Sequence, residues 1–198
     1  MKWVIASGNA KKRGEIAAIL APMGIDFLSD EETIFVDVDE DQDSFSGNAQ
    51  KKAEAFAKAN GKPALADDSG LCVDVLNGAP GIYSARFAGE SCSDIKNNQK
   101  LLKLMQAQEN RHAYFVCALH VAFPSVSDSL SCEGRVQGEI LHDMVGQSGF
   151  GYDPLFFCPE LNKAFAMATP EEKASVSHRG RALRVLVEML LGQLKYKK

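Results

Sequence analysis

A short apolar run, a glycine turn and an amphipathic segment open the chain, and that succession limits the fold more than anything after it. Trp3 to Ala6 is rich in β-formers and reads as a short buried strand. Ser7-Gly8-Asn9 turns the chain. Lys11 to Met23 then carries helical periodicity through Ile16, Ile19, Leu20 and Met23, and Gly24 marks its stop. The alternation continues downstream. Ile34 to Val38 reads as a strand, and the acidic stretch Asp37 to Asp43 as an exposed connection. Ser44 to Asn60 is Ala- and Lys-rich, a helix closed by Asn60-Gly61. Ala64 to Ala66 and Leu71 to Leu76 read as strands flanking Asp67-Asp68-Ser69-Gly70, which is expected at a strand end or turn. Ser91 to Gln108 is a predicted helix. Tyr114 to Phe123 and Ser129 to Ile140 are predicted long strands, antiparallel across the Pro124 to Asp128 turn. Val176 to Leu194 is predicted as one amphipathic closing helix. Helices interleaved with short and long strands place the chain in the α/β class with a mixed sheet. With no repeat, low-complexity tract or linker, residues 1–198 read as a single domain.

Composition narrows the function classes. Hydrophobic residues at 45% and charged residues at 24% suit a packed globular protein and exclude disorder. A net charge of −4 argues against a general nucleic-acid binder but leaves room for a small anionic ligand met by a few convergent cations. The five cysteines are scattered without a CxxC pair, and the four histidines lack metal-type spacing, so neither a disulfide framework nor a zinc site is expected. No apolar run approaches the roughly 20 residues that span a bilayer. The N-terminal stretch turns polar too soon for a signal peptide, so the expected location is cytoplasmic.

Four segments carry chemistry. Ser7-Gly8-Asn9-Ala10-Lys11-Lys12 passes from strand through glycine into a helix N-terminus, a phosphate site that Lys12 can reinforce. A capped helix with solvated lysines accounts for the same residues. Asp67-Asp68-Ser69-Gly70 sets adjacent carboxylates after an apolar strand, where they can hold Mg²⁺ or take a proton from attacking water; an ordinary acidic turn is the plainer reading. In Ser148-Gly149-Phe150-Gly151-Tyr152-Asp153-Pro154, Phe150 or Tyr152 can stack on a base and Asp153 can fix a ring N–H or sugar hydroxyl. A hairpin connection uses the same residue types. Lys173 and Ser177-His178-Arg179-Gly180 form the fourth. Ser177 suits an N-cap, whereas His178 and Arg179 place cations in a first helical turn, against the dipole. Such local conflicts concentrate at functional sites.

Taken in order, SGNAKK with Glu15, FSGNAQKKA, ALADDSGLCVDVLNGAPGIYSARFAG, GFGYDPLFF and EEKASVSHRGRAL resemble the inosine triphosphate pyrophosphatase family over residues 7–183. The resemblance implies an elongated mixed β-sheet with flanking helices, two lobes around a deep cleft, and a homodimer. It also implies hydrolysis of ITP, dITP and XTP between the α and β phosphates, with magnesium as cofactor. Carried over, Ser7, Gly8, Asn9 and Lys12 would hold the triphosphate with Lys52 close by. Asp68 would be general base and magnesium ligand, with Asp67 beside it on the metal and Ser69 touching substrate. Phe150, Gly151, Tyr152 and Asp153 would cradle the nucleoside, and Lys173, His178 and Arg179 would read the base.

The family pattern F-x-E-N-A-x-x-K-A has a metal-serving Glu where this chain has Gly47. Either the metal is held more weakly, or Asp41 or Asp43 substitutes, or activity is impaired. Three rivals follow: a nucleotide-binding member without turnover, a Maf-type pyrophosphatase for modified pyrimidines, and a protein-interaction module. The SHRG and GFGYDP segments speak against the second, and the grouped Lys, Asp and Arg positions against the third.

Overall fold

In the computed structural model, which describes residues 2–90, 92–125 and 129–196, seven strands form one mixed sheet in the order β2-β1-β3-β4-β5-β6-β7. β1 (Lys2–Ala6) runs parallel to β2 (Asp26–Phe27) and to β3 (Ala64–Val73), while β6 (Phe156–Cys158) is antiparallel to β5 (Ser129–Ile140) and β7 (Lys163–Ala164). β4 (His112–Ala122) lies between β3 and β5. The mixed α/β expectation holds. Two compact units make up the chain: residues 1–68, 117–134 and 179–198, and residues 69–116 and 135–178. The chain passes from one to the other inside β3, β4 and β5, so neither unit is a contiguous stretch of sequence.

Local chemistry explains the helix bounds. α1 (Ala10–Leu20) starts where the Asn9 side chain accepts from the Lys11 and Lys12 amides, and a 3₁₀ turn carries it to Gly24 at φ 75°. α2 (Phe45–Asn60) is capped by Ser44 and stopped by left-handed Gly61. It buries Asn48, Ala49, Ala53, Phe56 and Ala57 along one stripe. α3 (Asp94–Met105) is shorter than the predicted Ser91 to Gln108 and starts after the Ser93 cap. Ser91 itself, like residues 126–128 of the predicted turn, lies outside the described residues.

In the first unit Trp3, Ile5, Ile16, Leu20, Leu65, Leu119 and Leu183 share one core cluster, and Val4, Ala53, Phe56 and Ala64 a second. In the second unit Leu71, Leu101, Met105, Phe115, Tyr152, Phe156 and Phe165 form the core. Fully burying side chains of this size stabilises by roughly 1.5–3 kcal/mol each.

Four expectations are corrected. Ile34 to Val38 joins no strand. The Asn60 side chain satisfies its backbone instead, accepting from Ile34 N–H at 2.8 Å and donating to Ile34 C=O at 2.9 Å. Asp67-Asp68-Ser69-Gly70 is no turn: β3 runs through it with both carboxylates buried. The 71–76 strand ends at Val73, where a 3₁₀ turn takes over. The closing helix starts at His178 rather than Val176, with a separate short helix before it. α4 (Pro170–Val176) has a Thr169–Glu172 capping box, and α5 (His178–Tyr196) begins after extended Ser177. Among the described residues no helix is long and apolar enough to cross a membrane.

Candidate active site

The first unit gathers charge around the strand ends. β1 and β3 are registered at Ala6↔Ala66, so the Ser7-Gly8-Asn9 turn leaves β1 beside the point where β3 continues into Asp67 and Asp68. Successive strand side chains face opposite sides of a sheet, and these two carboxylates accordingly meet different partners. Asp67, 1% exposed, accepts from Lys12 Nζ at 2.6 Å, Arg179 Nε at 2.7 Å and the Cys117 thiol at 3.1 Å. Arg179 also bonds Glu15. Burial alone would raise the Asp67 pKa, but the Arg179 and Lys12 charges outweigh it and hold the carboxyl well below its usual range.

Asp68 faces α2. Asn48 and Lys52, one helical turn apart, reach it together: Asn48 Nδ2 donates to Oδ2 at 3.1 Å, and Lys52 Nζ lies 3.4 Å from Oδ1. The same ammonium donates to Glu40 at 2.7 Å and to the Asp67 carbonyl at 3.0 Å. Burial raises the Asp68 pKa; Lys52 opposes the rise and the Glu40 charge adds to it. Burial pulls the Lys52 pKa down, but Asp68 and Glu40 more than offset this and leave it raised.

The helix start beyond Ser7 is partly spoken for. Asn9 Oδ1 takes the Lys11 and Lys12 amides at 3.0 and 3.3 Å, and Arg13 ties itself to the Ser7 carbonyl at 2.8 Å. Gly8 is exposed, with no heavy atom within 4 Å of a Cβ placed there, so backbone at the turn remains open to a phosphate.

In the second unit the 148–154 segment is fastened from below. Tyr152 is a core residue whose hydroxyl donates to the Ser84 carbonyl at 2.9 Å, and this removes it from the stacking candidates. Asp153 is buried and accepts from Phe150 N–H at 2.9 Å and Lys173 Nζ at 2.7 Å. It shapes the loop, and Gly149 must lack a side chain because a Cβ would stand 2.2 Å from its Oδ2. Gly151 is anchored by its N–H to Asp94 at 2.6 Å and its carbonyl to Asn98 at 2.8 Å. Phe150 is half-buried with Lys173 Nζ 4.6 Å from its ring centroid. His178 stacks on Phe115 at 4.8 Å and 14°.

The protein matches the Ham1 family model over residues 3–189. It is 46% identical to a dITP/XTP pyrophosphatase of Nitrosomonas europaea, covering 96% of this chain and 94% of that protein. With a dITP/XTP pyrophosphatase of Desulforamulus reducens it shares 48% identity, covering 96% of each. The Staphylococcus aureus Ham1 protein superposes with a TM-score of 0.87 at 41% identity over 98% of this chain and 100% of that one. The chain belongs to the Ham1 family.

Membership sharpens the reading of Gly47. In this Ham1 chain Gly47 sits in the first turn of α2, its N–H bonded to Ser44 Oγ at 3.1 Å. A Cβ there would come 2.9 Å from Gln42 Cβ, so Gln42 fills the space where a side chain would start. Of the two acids expected to compensate, Asp41 is exposed and bonds Lys51, and Asp43 is exposed. Glu40 is the carboxylate that shares Lys52 with Asp68.

Two expected ligand groups are engaged with each other. Arg179 is 1% exposed and donates to Asp67. Asp67 accepts from Lys12, Arg179 and Cys117, so a metal there would compete with buried ion pairs. Among the described residues no three His, Cys, Asp or Glu converge as a metal cage. Asp68 with Glu40 still fits a magnesium-type ion, which takes one or two carboxylates and completes its shell with phosphate oxygens and water. Sequence reasoning missed Glu40, Cys117 and Phe115, which lie in a loop and in β4 with no motif of their own, and it gave Asn48 no role although that residue stands in the FSGNAQKKA segment.

Proposed function

We propose that this chain is a hydrolase that cuts nonstandard purine nucleoside triphosphates, of the ITP, dITP and XTP class, into the monophosphate and pyrophosphate. The observation that carries the reading is the split between two adjacent buried carboxylates, Asp67 held strongly acidic and Asp68 made more basic. That these relatives are dITP/XTP pyrophosphatases supports the same reading.

Asp68, with its raised pKa, takes a proton from the water that attacks the α phosphorus, and pyrophosphate leaves. Asn48 holds the orientation of the accepting carboxylate. Lys12 and Lys52 offset charge on the phosphates, with Ser7, Gly8 and Asn9 contributing the turn. Ser69, next along β3, is assigned to substrate contact. Asp68 with Glu40 would hold a magnesium-type dication, which supplies further charge neutralisation on the phosphates. In the second unit Phe150 offers its face to the base, and Lys173 and His178 supply donors for a 6-oxo group. An adenine 6-amino group would leave those donors unpaired, which disfavours it. Asp153 and Gly151 shape the loop that presents Phe150. The impaired-member reading loses ground because Glu40 supplies a carboxylate beside Asp68 without any side chain at position 47.

The test is pyrophosphate release from ITP, dITP, XTP, GTP and ATP with magnesium titrated from zero. Magnesium-dependent release from the first three is expected, with kcat/KM for ATP lower by about 10²-fold or more. Equal turnover of ATP would remove the base reading, and full turnover in excess chelator would remove the dication. We further assign the protein to the cytoplasm, a reading supported by five cysteines that form no disulfide among the described residues. A homodimer is also proposed. An apolar groove of about 340 Å³ beside exposed Met144, Val145 and Met167 supports it, and light scattering at twice the chain mass is its check. Net charge −4 supports a reading without nucleic acid, and no membrane partner enters it.

A further inference from the structure

We infer that Phe115 is a specificity-determining positioning residue, holding the His178 imidazole in the plane from which it reads the purine ring. The inference rests on the base-reading role proposed for His178.

Phe115 sits in β4 with 7% exposure, among rings that leave it no freedom. Its centroid lies 4.8 Å from His178 at 14°, 6.1 Å from Phe165 at 9° and 4.7 Å from Phe156 at 54°. Phe165, Phe115 and His178 therefore present three near-parallel planes, with Phe115 touching both others. Offset stacking at this separation is an attractive geometry for aromatic pairs, and it fixes ring tilt in a way that aliphatic packing does not. His178 is the first residue of α5, and its imidazole sits on an aromatic wall. Phe165 also lies 5.8 Å from Lys173 Nζ, so the same wall backs both donors assigned to the 6-oxo group. Because discrimination depends on a donor being aimed at the oxygen, a loosened imidazole costs selectivity more than it costs chemistry at the phosphates.

The experiment compares Phe115→Leu, Phe115→Tyr and Phe156→Leu with the parent on ITP and ATP, alongside His178→Ala. Phe156 belongs to the same core and touches Phe115, so its truncation controls for general loosening. Phe115→Leu is expected to raise KM for ITP roughly twofold to tenfold with kcat little changed, and to shrink the ITP-to-ATP ratio of kcat/KM accordingly. Phe115→Tyr, which keeps the ring, should hold that ratio, and so should Phe156→Leu despite a lowered melting temperature. NMR of histidine-labelled protein should show the His178 ring protons losing their ring-current shift in Phe115→Leu alone. An unchanged ratio in Phe115→Leu, or an equal drop in Phe156→Leu, overturns the inference. If Phe115→Leu fails to fold, Phe115→Met carries the same comparison. A His178→Ala variant that keeps the ratio sinks the base-reading role itself, whereas one that collapses it beside an unaffected Phe115→Leu sinks only this inference.

Discussion

The two units solve the problem of holding functional side chains in opposite ways. In the first, Lys12, Lys52, Asp67, Asp68 and Arg179 are fixed by charge, each pinned by a counter-ion or a hydrogen bond at 2.6–3.4 Å. In the second, the Lys173 ammonium lies over the Phe150 and Phe165 rings and His178 stacks on Phe115, with Asp153 as the one buried anion among the groups described there. Charge can be moved by protonation, whereas stacked rings cannot. The phosphate side should therefore respond to acid and to loss of a single carboxylate, and the base side to loss of shape.

The largest expected effect separates the two neighbouring carboxylates. Asp68→Asn should leave folding intact and lower kcat about 10²- to 10⁴-fold, the usual cost of removing a general base. Asp67→Asn should do the reverse first. It strips Lys12 of its buried counter-ion and leaves Arg179 with Glu15 alone, which costs up to about 3–5 kcal/mol. At roughly 2–4 °C per kcal/mol for a chain of this size, calorimetry should find a melting point lower by about 10 °C. Equal melting points in the two variants would break the comparison.

An intermediate effect concerns pH. In the metal-free protein the raised Asp68 pKa places the acidic limb of kcat/KM above the ordinary value of 3.8, as pH falls through the raised value. Asp67 runs the other way. Its lowered pKa gives stability that is present above 3.8 and lost only as pH falls through the depressed value. Activity should thus disappear at a higher pH than the fold does. His120, buried with Nδ1 on Ser131 at 2.7 Å, has a pKa lowered by burial, so its contribution is complete above 6.5 and fades below. Rate profiles and thermal melts across the same buffers test the order, and coincident loss would refute it.

Gly47→Glu is the smallest effect and sharpens the metal side. Helix propensity and an acid in the first turn favour it by up to about 1 kcal/mol each. Against this, Gln42 must shift from 2.9 Å. The net expectation is a melting temperature within about 3 °C of the parent and a magnesium requirement nearly unchanged, because Glu40 already stands beside Asp68. A steep fall in the magnesium needed for half-maximal rate would return position 47 to importance.

What could be read without coordinates was residue chemistry; what could not was wiring. Lys12, Lys52 and Asp68 announce themselves because few residue types handle phosphate and proton transfer. The conflict of Arg179 with the helix dipole was visible, yet its resolution lies on Asp67, 112 residues away in sequence. β3 was cut short on paper because aspartates are poor strand formers. That preference is overridden where Lys12, Arg179 and Lys52 surround them. Ile34 to Val38 had strand-like residues but no neighbouring strand to pair with, and propensity cannot report an absent neighbour.

Placing the two aspartates consecutively on a strand makes their roles a matter of parity. A one-residue slip of β3 against its neighbours would turn every side chain to the opposite face. The carboxylate that must never change its protonation would then face α2, and the one that must change would face Arg179. A single-residue insertion or deletion between Ala64 and Asp68 would thus disrupt chemistry as well as packing, while a pair of residues would at least preserve the alternation.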